Sequence, residues 1–163
     1  MTTNSTKRAC GGCTLCCFTY DVRDDGKQIT RSFDWCTHCD IGLGCKIHET
    51  TQPSVCAQWL CAWRDGLGSD DERPDKTGVV PEWRYTRQGK TLVLIGSTSD
   101  SLESDYARNL TKTYAKRRVP IIHMHPDGRK YFVYEQDVLV DADVAMSAKR
   151  EKVGILFVDT TAS

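Results

Sequence analysis

The spacing of apolar and polar positions divides the chain near residue 70. Beyond that point, residues 79–85 and 91–95 are rich in Val, Ile, Leu, Trp and Tyr and predict two strands joined through Gln88-Gly89-Lys90. Leu102, Tyr106, Leu110 and Tyr114 recur every four residues, as one stripe of a helix does. Asp100 followed by Glu103 has capping-box spacing and sets the expected start of that helix. Lys112, Lys116, Arg117 and Arg118 crowd its end, where the dipole favours positive charge. Residues 121–125 and 130–135 predict a hairpin about Pro126-Asp127-Gly128. Residues 138–140 and 153–158 read as further strands, with a short helix across 142–149. Two strands, a helix and more strands predict a small sheet with a helix on one face.

Before residue 70 the periodicity is weaker. Short β-prone pieces at 18–22 and 28–30 flank Asp24-Asp25-Gly26-Lys27, a hairpin-type turn. Thr51-Gln52-Pro53-Ser54 reads as a helix start. A helix over 53–64, closed by Gly66, sets Cys56, Trp59, Leu60 and Trp63 on one face. Trp35, Trp59 and Trp63 read as core packing. Residues 69–76 are charged and contain Pro74, as a linker does. The expected organisation is a flexible lead-in at 1–9, a cysteine-rich module at 10–68, a linker at 69–78 and a small domain at 79–163. The expected fold class is α+β: a small cysteine-ligated metal module, then a small mixed β-sheet with one main helix.

The cysteines change the picture most. Cys10-Gly11-Gly12-Cys13-Thr14-Leu15-Cys16-Cys17 carries four, and Cys36, Cys39, Cys45, Cys56 and Cys61 follow, with none after that. Two-residue spacings let neighbouring thiols converge on one ion or cluster without a long loop to order. Gly11 and Gly12, then Gly42 and Gly44, stand just ahead of thiols, where tight turns fold a loop around a site. Cys17 is the odd member, because adjacent side chains diverge; it implies a second centre or a buried structural thiol. Cys56 would sit at the positive end of its helix, which favours a thiolate. Cys61, five residues on, is turned about 140° around such a helix.

Charge narrows the functional classes. Lys+Arg and Asp+Glu number 22 each, the pI is near 6.9 and the mean hydropathy is −0.47. Such balance disfavours a general attraction to nucleic acid or anionic membrane. No run approaches ~18 apolar residues, so no membrane span is expected, and the polar first residues do not read as a signal peptide. The expected compartment is the cytoplasm, which keeps thiols reduced; an odd count of nine also argues against a disulfide scaffold. Lys116-Arg117-Arg118 reads as a solvated helix end. His123 and His125 share one strand face and read as structural. Thr91 to Ser99 runs from a strand towards a helix start but lacks a phosphate-binding glycine pattern.

CxxCxxCC at Cys10–Cys17, WCxHC at Trp35–Cys39, GCxIH at Gly44–His48 and PxxCxxWxCxW at 53–63 together resemble a bacterial zinc- or iron-chelating cysteine-cluster family. The resemblance covers about residues 10–63; Gln52-Pro53 stands where that family usually has Arg-Pro. It implies metal ligation by Cys10, Cys13, Cys16, Cys17, Cys36, Cys39, Cys45, Cys56 and Cys61. Some members resemble flagellin lysine N-methylases, which use S-adenosylmethionine and carry an iron–sulfur cluster. Two readings follow. One is a cytoplasmic metal-binding protein, mainly structural or presenting a surface to a protein partner, with zinc or a 4Fe–4S cluster. The other is an iron–sulfur enzyme of the S-adenosylmethionine-dependent lysine methyltransferase type, or a redox carrier. Asp34, His38, Asp40 and His48, interleaved with the thiols, read as partners of the ligands.

Overall fold

The structure is a computed structural model and describes residues 7–48, 50–135 and 154–158. It is α+β, with a mixed five-stranded sheet as its centre. The strands are β5 (Val79–Thr86), β6 (Gly89–Gly96), β7 (Ile121–Met124), β8 (Lys130–Glu135) and β9 (Gly154–Val158), side by side in that order. β5 and β6 form an antiparallel hairpin, with Thr86 opposite Gly89. The chain then crosses over through the main helix, α4 (Asp105–Lys116), so that β7 lies parallel to β6. β8 returns antiparallel around Asp127 and Gly128, and β9 is parallel to β8.

Both faces of this sheet are covered, which explains the unbroken apolar run Leu92-Val93-Leu94-Ile95. Strand side chains alternate between faces. Leu92 and Leu94 pack with Val79, Ile121 and Val133 under α4. Val80, Val93 and Ile95 face the other way, onto Cys61 and Trp63, with Leu15, Tyr20, Phe33 and Trp59 around them. The cysteine-rich half is the second cover.

The helix meets the sheet through small side chains. Ala107, Thr111 and Ala115 are its buried residues, whereas Tyr106, Leu110 and Tyr114 flank the contact and are partly buried. Small residues let the helix axis come close, and the larger ones wrap its sides. The helix also starts later than expected. Asp100 precedes a separate 3₁₀ turn, Ser101–Glu103, and the N-cap is Ser104, whose hydroxyl accepts the Ala107 N–H. His123 is buried against this helix, its Nε2 2.9 Å from the Thr111 hydroxyl, and burial pushes its pKa down to about 4. Lys116 and Arg118 are exposed at the helix end, with Arg117 over the Tyr114 ring.

The first half is built from short pieces. These are α1 (Cys16–Thr19), hairpin β1 (Val22–Asp24) and β2 (Lys27–Thr30), hairpin β3 (Cys39–Asp40) and β4 (Gly44–Cys45), and α2 (Ser54–Gln58). Asp25 and Gly26 both take positive φ, the geometry of a two-residue type I′ turn. Two expectations are corrected here. The stretch at 18–22 opens as a helical turn, because Phe18 and Thr19 N–H groups bond back to the Leu15 carbonyl. The helix over 53–64 ends at Gln58: Trp59 is extended, and Ala62 N–H bonds to Pro81 C=O on β5. The expected shared face of Cys56, Trp59, Leu60 and Trp63 therefore does not form. Trp63 is buried and Trp59 half-buried, but Trp35 is exposed, its ring tilted 35° against that of Phe18 with centroids 5.0 Å apart.

The 69–76 stretch carries a capped 3₁₀ turn, Asp70–Glu72, and α3 (Pro74–Thr77), closed by Gly78 in the left-handed conformation. Arg8 ties the chain start to it, donating to the carbonyls of Trp63, Leu67 and Gly68 and pairing with Asp70 at 2.7 Å. The expected strand at 138–140 and helix at 142–149 lie outside the described residues. Among the described residues, no helix is long and apolar enough to cross a membrane.

Candidate metal centre

The first three cysteine blocks are tied to one another by hydrogen bonds. Cys13 N–H bonds to Cys10 C=O at 3.1 Å, closing a turn over Gly11, which takes positive φ. Gly12 packs directly on the Gly42 carbonyl, where any side chain would collide. Beside it, Gly42 N–H donates to the Thr14 hydroxyl at 3.1 Å, so the first loop and the 40–44 loop meet backbone to backbone. Cys36 N–H reaches Cys17 C=O at 3.0 Å, and Cys39 N–H closes a second CxxC turn onto Cys36 C=O at 2.9 Å. Cys39 and Cys45 stand opposite each other across the β3–β4 pair. Cys56 is carried on α2.

The thiols gather around two adjoining cavities. The larger, about 480 Å³, is lined by Cys10, Cys13, Cys16, Cys17, Cys45, Cys56 and Cys61, with His48, Arg64, Trp59 and Val80. The smaller, about 130 Å³, is lined by Cys16, Cys17, Cys36, Cys45 and Cys56, with His38, Tyr20 and Trp59. Cys39 lines neither, but stands opposite Cys45, which lines both. All nine cysteines are free thiols. Among the described residues, no three Cys, His, Asp or Glu groups converge as they stand on a point that would hold a metal ion. The thiols ring the cavities instead of meeting.

Two sulfurs carry a pattern the sequence did not reveal. The backbone amides of Leu15 and Asp75 act to lower the pKa of Cys13, and those of Arg64 and Trp63 that of Cys61. Donors aimed at a sulfur favour its thiolate, the form that binds metal. Burial opposes this: it pushes Cys13, Cys39 and Cys56 up to about 11 and also raises Cys61. Cys17 is raised furthest, first by its hydrogen bond with Cys16 and then by burial. Burial denies these sulfurs the water that would support a negative charge.

Arg73 and Asp75 were also missed, lying in the stretch read as a linker. Their side chains form a two-pronged pair at 2.6 and 2.9 Å, with Arg73 against Gly11 and Asp75 bonded to the Cys13 thiol. Arg73 holds Asp75 below the usual carboxylate range. Of the four interleaved polar residues, His48 and His38 line the cavities, whereas Asp34 and Asp40 do not.

The module is seated on the sheet by a buried polar contact. Tyr20 donates to Glu82 Oε2 at 2.6 Å, and Arg84 donates to the same oxygen at 2.8 Å. Glu82 is buried on β5, and the Tyr20 ring packs on Trp59 at 4.6 Å. Compared with models of known families, with curated proteins and with solved structures, the chain matches none.

Proposed function

We propose that this chain is a cytoplasmic metal-binding protein whose clustered cysteine thiolates hold zinc or a 4Fe–4S cluster, with a mainly structural or partner-presenting role. The observation that carries the reading is the ring of seven thiols about the larger cavity. The donor set fits: all-sulfur ligation suits both zinc and iron–sulfur clusters. Cys10, Cys13, Cys16, Cys17, Cys36, Cys39, Cys45, Cys56 and Cys61 are the residues that would hold the metal. Once bound, it supplies the positive charge that keeps buried thiols deprotonated. The cysteine-block resemblance to zinc- or iron-chelating proteins points the same way. A structural role agrees with the first half, where the buried side chains among described residues 7–60 are three threonines and Pro53.

Anaerobic purification of the full chain, followed by visible absorbance and metal analysis, tests this. A brown protein with iron and acid-labile sulfide assigns a cluster, and a colourless protein with zinc assigns zinc. A chain with neither, which also fails to take up zinc or reconstituted iron and sulfide, overturns the reading.

A further inference from the structure

The position of the thiols around two cavities raises the question of how many centres they form. Cys10, Cys13 and Cys61 line only the larger cavity, and Cys36 lines only the smaller. Cys16, Cys17, Cys45 and Cys56 line both, and Cys39 stands opposite Cys45 across the β3–β4 pair. The surroundings of the cavities differ too: Arg64 lines the larger cavity, with Arg73 packed on Gly11 beside it, whereas His38 and Tyr20 line the smaller.

Between the groups lies the Cys16-Cys17 doublet at the start of α1. Successive helical side chains point about 100° apart, so one ion does not readily draw both. Cys16 follows Cys13 by the same spacing that separates Cys10 from Cys13 and lines the same cavity. The Cys17 carbonyl accepts the Cys36 N–H at 3.0 Å, and Cys36 lines the smaller cavity.

Resting on the metal-binding reading above, we propose that the nine cysteines serve two separate centres divided by this doublet. Cys10, Cys13, Cys16 and Cys61 hold the first. Cys17, Cys36, Cys39, Cys45 and Cys56 surround the second, one thiol more than a four-sulfur set requires. Each centre then joins loops distant in sequence: the first links the chain start to the segment laid on β5, and the second links α1, the β3–β4 hairpin and α2.

The test uses the full chain, stripped and reloaded with zinc(II) alone. The wild type is expected to take up two zinc per chain, and Cys61→Ser and the double variant Cys36→Ser/Cys39→Ser one each. Because Cys61 is buried and its replacement also bears on stability, the wild type is also followed by pulsed alkylation and mass spectrometry during removal of zinc by a chelator. Cys10, Cys13, Cys16 and Cys61 should become reactive together, and Cys36, Cys39, Cys45 and Cys56 together at a rate several-fold different. One zinc per chain, or Cys61 and Cys36 becoming reactive in a single step, overturns the division while leaving metal binding intact. No zinc and no reconstituted cluster at all overturns both.

Discussion

The two halves of this molecule solve the same problem by different means. The sheet half buries Val79, Leu92, Val93, Leu94 and Ile121 at no more than 1% exposure and is held as most domains are, by apolar area removed from water. In the cysteine half, Ile41, Leu43 and Val55 are exposed, and the buried side chains among residues 7–60 are Thr14, Thr19, Thr30 and Pro53. Its order comes from loop-to-loop hydrogen bonds, from a seat on the sheet and, in the proposed reading, from thiolate–metal bonds. A half without a core of its own depends on whatever joins its loops.

Metal removal should separate the halves most sharply. A structural zinc site contributes on the order of 10 kcal/mol. A chelator is expected to release amide exchange across residues 10–58 while strands β6 and β7 stay protected; equal loss in both halves would mean that they unfold as one unit. Leu94→Ala, on the α4 side of the sheet, should cost about 3–4 kcal/mol by the cavity it leaves, read as a lowered denaturation midpoint with unchanged metal content in the folded fraction. A loss of metal from the folded fraction would show the site to be coupled to the far face.

Acid should weaken the sheet half through His123. Its folded pKa of about 4 lies below the ordinary 6.5, so the unfolded chain binds the proton first. Stability is then full above pH 6.5 and falls as pH drops towards 4, by about 3 kcal/mol for a shift of this size. His123→Gln should flatten that part of the stability–pH curve; an unchanged slope would assign it to other groups. Thr14→Val should have the smallest effect, about 1 kcal/mol, by removing the hydroxyl that accepts the Gly42 N–H. Proteolysis of the 40–44 loop would report it, and no change would show that the Gly12–Gly42 contact suffices.

The five strands of the large sheet and three hairpin turns were legible because their signals are local: apolar β-prone runs, Asp25-Gly26, Gln88-Gly89 and Asp127-Gly128; the two-residue strands β3 and β4 carry no such signal. The helix start was not legible, since Asp100 and Ser104 both carry capping chemistry and only tertiary packing chooses between them. Over 53–64, only Trp59 and Trp63 of the four residues in the apparent helical period pack against the sheet. Cys61 and Trp63 are buried because Ala62 pairs with Pro81, not because a helix turns them inward. The thiols announced themselves by spacing, but Arg73 and Asp75 did not, because a charged pair in a Pro-containing stretch looks like any solvated linker. Nothing in spacing alone reveals which backbone amides will point at which sulfur.

The seat of the cysteine half on Val80, Val93 and Ile95 also carries a consequence for synthesis. The ribosome makes Cys61 before it makes β6, and at about 5–20 residues per second the interval is on the order of seconds. For that time the thiols have emerged, or are emerging, ahead of the surface that will order them. Oxidants, other metals and metal donors all meet the loops before the sheet does.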